Sequence, residues 1–238
     1  RIACALAWHH DDAIAIGANN EALADSSIAI GDSNEATGEY STAIGHYNYS
    51  DGEESSAIGN HNTAEGDYST AIGSENEAIG EESAALGTNN YADGEYSVAI
   101  GSGNEAYVND SSAIGVRNDA NAEDSSAIGF NNTADGIDSS AVGHQNLAYG
   151  ASSSAFGYQN TAGGNYSTAM GANSNAYADF SLTLGNSADD EAGTHVAVGA
   201  TNGMAIGRNA SVAEDGVDAI AFGTNASATA ANSVALGS

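Results

Sequence analysis

Ser69-Thr70-Ala71-Ile72-Gly73-Ser74-Glu75-Asn76-Glu77-Ala78-Ile79-Gly80-Glu81-Glu82 is one copy of a unit that starts again at Ser83-Ala84-Ala85-Leu86-Gly87. The glycine after the apolar residue marks the period. It stands at Gly17, Gly31, Gly45 and onward every fourteen residues to Gly199, then out of phase at Gly207, Gly223 and Gly237. Counted from that glycine, the other columns agree. Ala stands at −2 from Ala15 to Ala197, with Thr183 the exception, and a large apolar residue stands at −1. Ser stands at −4 from Ser27 to Ser181, and Asn at +3 from Asn20 to Asn160. Ala holds +5, with Ser50 substituting, and Gly, Ala or Val holds +7.

Fourteen residues are too few for a helix–turn–helix repeat, which takes about 34. Ser-x-Ala-Ile-Gly alternates as a strand does. The Gly and Asn columns then predict a turn with positive φ, and a second short strand follows through +5 and +7. Two strands and two turns make one coil of an all-β, parallel β-solenoid, stacked on the next at about 4.8 Å. Seventeen glycines mark seventeen expected coils. A lead-in over residues 1–12, regular repeats over 13–199 and irregular final repeats of the same roll over 200–238 are the expected divisions.

The alternation also predicts what is inside. Ser, Ala and Gly share one face, and small residues suit the thin interior of a flat coil. The −3 and −1 residues then point outward, leaving a ladder of Ile along the surface: Ile30, Ile44, Ile58, Ile72, Ile100, Ile114 and Ile128. Full burial of one Ile is worth about 1.5–3 kcal/mol, and monomers rarely leave such a stripe in water. A small cyclic homo-oligomer built around the Ile column is expected. The alternative places Ile inside a monomeric coil and Ala outside.

Composition narrows the function. The chain has 32 Asp and Glu against three Arg (Arg1, Arg117, Arg208), no Lys, and a formal net charge of −29. That excludes nonspecific binding to nucleic acid or anionic lipid, which needs cations. The longest apolar stretch, residues 2–8, is shorter than the ~20 residues of a spanning helix, so no direct membrane insertion of this segment is expected. Cys4 is the one cysteine, so no disulfide within the chain and no cysteine-ligated metal are expected.

Ser97-Val98-Ala99-Ile100-Gly101 and Ser233-Val234-Ala235-Leu236-Gly237, together with the Asn-x-Ala-x-Gly of residues 62–66, resemble the YadA-like head repeat of trimeric autotransporter adhesins. The resemblance runs from about Ala13 to Ser238. It implies a left-handed parallel β-roll that forms a homotrimer, with Ile and Val facing the threefold axis. It also implies a non-enzymatic adhesin head that attaches to host matrix, cells or other bacteria through an extracellular protein or glycan ligand. The location it implies is the cell surface of a Gram-negative bacterium, reached through a stalk and outer-membrane anchor that this segment lacks. Such repeats also occur in phage tail fibres, so a phage tail-fibre segment or a structural filament subunit is the alternative.

Catalysis has little support. The serines fill a repeated structural column, and His9, His10, His46, His61, His144 and His195 are scattered. No catalytic residue, resident metal or cofactor is expected. The acid columns at +4, +8 and +9 leave room for weak association of Ca²⁺ or another cation between coils. The Asn column reads as turn chemistry with amide stacking between coils. An ice-binding face would need a regular Thr ladder, and the −3 column (Thr42, Ser56, Thr70, Ala84, Val98, Ser112) is irregular.

One stretch stands apart. Residues 139–178 hold no Asp, Glu, Lys or Arg, and they hold Tyr149, Tyr158, Tyr166 and Tyr177. Uncharged surface bearing tyrosines suits recognition, so these four are the candidate ligand-binding residues. Tyr149 and Tyr177 share the +6 column with Gly163 between them, which predicts a shallow gap between two rings.

Overall fold

The computed structural model describes residues 6–7, 12–187 and 193–237. Cys4, His9 and His10 lie outside the described residues. Residues 1–117 and 118–238 form two compact units. Both are parallel β-solenoids, with about sixteen coils in all and no helix among the described residues.

In the first unit each coil contributes a long strand, such as Thr70–Ser74, and a two-residue strand, such as Glu77–Ala78. The long strands run from Ile14–Ala18 to Ser112–Val116 and pair in parallel one coil apart, Ile58 beside Ile72 and Ile72 beside Leu86. The short strands pair likewise, Thr63 beside Glu77 beside Tyr91. The short strand is only the +4 and +5 residues; the +7 glycine lies beyond it, in the next turn. The second unit repeats this arrangement from Asp119–Ala120 and Ser126–Phe130 to Ser227–Ala228 and Val234–Leu236.

Its last coils are longer. Leu184 pairs with Ile206 rather than with Val198, and Ile206 with Phe222. Gly199 therefore marks no coil, although it keeps the count of fourteen in the sequence. The residues before it, Thr194–Val196, form a short strand that pairs with Ser174–Ala176. Val196 is buried and Val198 exposed. A glycine count reads Ala-Val-Gly as a long strand; pairing shows that it follows a short one.

Alternation settles inside and outside as expected. The −2 Ala and +5 Ala of every coil from Ala29 to Ala169 are fully buried. The −1 residues point away from the interior: Ile72, Ile100 and Ile128 are exposed, and Ile30, Ile44, Ile58 and Ile114 are half-buried. The arrangement with Ile inside is thus ruled out for the coil.

The Asn column is interior, which corrects the turn role expected for it. Asn76 donates from Nδ2 to the carbonyls of Ile72 (3.1 Å) and Gly87 (2.9 Å) and to Oδ1 of Asn62 (2.9 Å). Its own Oδ1 accepts from the backbone N–H (3.2 Å) and Nδ2 (2.9 Å) of Asn90. Each amide thus ties its coil to the coils on both sides, and burial is compensated by hydrogen bonds. The ladder ends at Asn160; Ser174 and Thr194 replace it, bonding the carbonyls of Gly185 and Gly207.

Positive φ falls instead at the column glycine and at +2 and +9, as in Gly73 (128°), Glu75 (57°) and Glu82 (55°). A Cβ on Gly73 would lie 2.0 Å from the carbonyl oxygen of Gly87. The non-glycine residues at +2 and +9 sit at corners, where the N–H reaches the previous coil: Glu75 bonds Asn60 O (2.9 Å) and Glu82 bonds Asp67 O (2.8 Å). That inter-coil bond offsets the modest cost of the left-handed region.

The +7 column decides the partner of the buried Ser. Where +7 is Ala, as at Ala24, the hydroxyl of Ser27 donates to the Ala24 carbonyl (2.7 Å) and accepts its N–H (3.3 Å). Where +7 is Gly, as at Gly66, that N–H reaches instead to Ala78 O of the next coil (3.5 Å). The hydroxyls of Ser41, Ser69, Ser83, Ser97, Ser139, Ser153 and Ser167 are then buried without a partner, and so is that of Ser111, where +7 is Val108. Ser55 escapes this because Ser50, standing where Ala usually does, meets its hydroxyl at 2.7 Å.

Candidate functional site

Within the second unit the charge-free residues 139–178, with Asn131, bring side chains from three columns to one groove of about 380 Å³. The left-handed +2 corners aim Asn131, Gln145, Gln159 and Asn173 at it. The outward positions of the short strands supply Leu147, Thr161 and Asn175, and the +6 column supplies Tyr177. Gln159 Nε2 donates to Gln145 Oε1 at 3.3 Å, a long bond that leaves both amides capacity for other partners. Asn173 is nearly buried, and its Nδ2 is held by the Ser187 carbonyl at 2.9 Å.

The four candidate tyrosines separate. Tyr177 lines the groove. Its ring also covers Gly163: a Cβ there would meet the Tyr177 ring at 3.2 Å. The gap expected between Tyr149 and Tyr177 is therefore filled, because glycine leaves room for the neighbouring ring to lie down. Tyr149 is exposed in the same column but does not line the groove. Tyr158 stacks on His144 (5.0 Å, 15°), which stacks on Phe130 (4.9 Å, 13°), at the end of the long strands. These rings immediately precede Gln159, Gln145 and Asn131 in the chain, so the stack borders the groove's amide column. Tyr166 stacks on Phe180 (5.0 Å, 4°) in the +9 column, at the other corner of the coil.

The sequence shows Gln145 and Gln159 in the neutral stretch, but the ligand-binding candidates read from it were the tyrosines alone. The signal was present as Gln or Asn at +2 in four successive coils. It could be read only once +2 was known to be a left-handed corner beside the short-strand face.

The first unit holds a groove on matching columns, also of about 380 Å³. Its lining is acidic: Glu75 at +2, Glu77 and Glu105 at +4, with Tyr91 and Tyr107. The hydroxyl of Tyr107 donates to Glu105 Oε2 at 2.6 Å. Burial, then the charges of Asp93 and Glu77, raise the pKa of Tyr91. Elsewhere in this unit Glu35 is also raised, first by burial, then by the charge of Glu21, stacked beside it on the previous coil, and that of Asp51 on the next coil. Two grooves of equal size thus differ in charge. Among the described residues no three His, Cys, Asp or Glu side chains converge to hold a metal ion, and no helix is long and apolar enough to cross a membrane.

No curated protein matches the chain. The family model for the YadA head domain repeat matches residues 11–34, 22–48, 50–76, 78–104, 109–132, 134–160, 162–188 and 215–238. These matches cover most of the chain, and they follow the coils the structure shows. By its repeat, its parallel coils and this match, the chain belongs to the YadA head domain repeat family.

Proposed function

We propose that this chain is the non-enzymatic head of a surface adhesin, working as a homotrimer that presents its outer face to an extracellular protein or glycan. The observation that carries the reading is the outward apolar column in a chain of the YadA head family. Ile72, Ile100, Ile128, Met170 and Leu184 are each more than a third exposed, and they stand in register coil after coil within each unit. A trimer removes that stripe from water and leaves the short-strand face free. The cell-surface location, held at the outer membrane of a Gram-negative bacterium, follows from the same family relation.

Light scattering at micromolar concentration tests the assembly. The expected mass is three times 23.6 kDa, and the pair Ile72→Asp and Ile100→Asp should give a folded monomer. A wild-type chain that is a stable monomer refutes the trimer. Beads coated with the chain test adhesion: they should attach to cultured cells or matrix, and beads coated with albumin should not. Equal attachment of the two refutes the adhesin reading and favours a filament role.

A further inference from the structure

We infer that the charge-free groove of the second unit is a binding site for a neutral, hydroxyl-rich glycan chain. This rests on the adhesin reading and names the ligand class and the residues.

Charge excludes other ligands first. The chain carries −29 overall, yet no ionisable acid or base other than His and Tyr occurs in residues 139–178. Anionic polymers are repelled by the acid-bearing coils before they reach the groove. Cationic peptides have stronger partners elsewhere, for example around Glu75, Glu77 and Glu105. A neutral ligand is the one class for which this groove is the favoured place.

The lining then selects hydroxyls. Gln145, Gln159 and Asn175 each carry donors and an acceptor in one amide, and hydroxyl groups have the same double capacity. Thr161 adds a hydroxyl. Equal columns recur every coil, about 4.8 Å apart, so Gln145 and Gln159 offer a repeated contact to a polymer lying along the stack. Apolar contact is at hand as well. Tyr177 is 42% exposed on the groove wall, and the edge of the Phe130–His144–Tyr158 stack is open at Phe130 (40%) and Tyr158 (45%). Sugar rings pair one C–H face with hydroxyl edges, which suits an aromatic wall beside an amide column. The groove opens between the +2 corners and the short strands, which form a separate sheet from the one that carries the Ile column.

The test is affinity electrophoresis of the full chain through gels carrying dextran, mannan, galactomannan, xyloglucan or arabinogalactan, with hyaluronan and heparin as anionic polymers. At least one neutral polysaccharide should retard the chain, and the anionic ones should not. Gln145→Glu with Gln159→Glu imports the charge of the first unit's groove, and Tyr177→Ala removes the wall. Each should weaken retardation about tenfold or more. Glu77→Gln in the first unit should leave it unchanged, and unfolding curves should show all variants folded. Retardation by no neutral polysaccharide, or retardation the groove variants do not alter, overturns the inference. If coated beads still adhere in that case, the adhesin reading stands and the site is lost. Adhesion abolished by protease treatment of the target surface, and indifferent to neutral glycans, assigns a protein partner and also overturns it. Beads that adhere to nothing refute the adhesin reading itself.

Discussion

The buried serine column offers one substitution with opposite consequences in two coils. Ser27 and Ser69 occupy the same position, and both are fully buried. The Ser27 hydroxyl makes two hydrogen bonds to Ala24, at 2.7 and 3.3 Å; the Ser69 hydroxyl makes none. Ser27→Ala leaves the Ala24 N–H without a partner, while the Ala24 carbonyl keeps the Ser27 backbone N–H (3.2 Å); the orphaned donor costs about 1–3 kcal/mol. Ser69→Ala removes a hydroxyl that is desolvated without compensation, and it should be neutral or stabilise by up to about 1–2 kcal/mol. The two changes should therefore differ by about 1–5 kcal/mol, with Ser27→Ala the worse. Gly66 sets the Ser69 environment, so a cycle follows. Gly66→Ala brings Cβ to 2.0 Å from the Gly80 carbonyl oxygen, so the corner must shift at a cost of its own; in the geometry of the Ala24 coil the N–H of residue 66 would then turn from Ala78 O toward the Ser69 hydroxyl, after which Ser69→Ala should become costly. Urea unfolding by circular dichroism gives the four free energies, and hydrogen exchange at residues 24 and 66 reports the local bond. Because coils are coupled mainly to their neighbours, exchange is the more direct readout. Equal destabilisation by Ser27→Ala and Ser69→Ala, with no coupling to Gly66→Ala, would refute the reasoning.

Three further outcomes follow from the coil. Asn76→Ala orphans the Asn90 N–H and removes the side-chain donor to Gly87 O, so it should destabilise by about 2–5 kcal/mol in urea melts; a loss under 1 kcal/mol would mean that the ladder is decorative. Gly73→Ala places Cβ against the Gly87 carbonyl at φ 128° and should destabilise by more than about 4 kcal/mol. Gly80→Ala also brings Cβ to 2.0 Å from a carbonyl oxygen, that of Gly94, but without a positive φ; because Ala24, Ala122 and Ala178 show that this corner can shift to take a Cβ, it should be milder, and similar melting temperatures for the two would contradict this. Glu35 has a raised folded pKa, so its ionisation destabilises the fold as pH rises through that value, and the stability it lacks at neutrality is regained toward the ordinary glutamate range. Lowering pH from 7 to about 5 should thus raise the melting temperature at low salt. Glu35→Gln and about 0.5 M NaCl should each shrink that rise, because stacked like charges repel by about 0.8 kcal/mol at 5 Å in water. A melting temperature that falls on acidification sinks the account.

The sequence by itself determined the coil, its parallel stacking and which face of the long strand is inside. A period of fourteen recurs in every column, and the two-residue alternation of a strand leaves Ala and Ile only one choice of face. Net charge and the gap in charge over residues 139–178 were also legible, because charge is a property of the chain in one dimension. Only the tertiary structure decided that Gly199 marks no coil, since strand identity depends on which neighbour pairs. It alone showed Asn76 bonding inward, because a side chain's partners there come from three different coils. It separated Tyr166 from Tyr177, and it joined Gln145, Gln159 and Asn175 into a groove. Those residues lie fourteen or more positions apart in the chain, and a concavity between columns arises only when coils stack and left-handed corners aim their side chains.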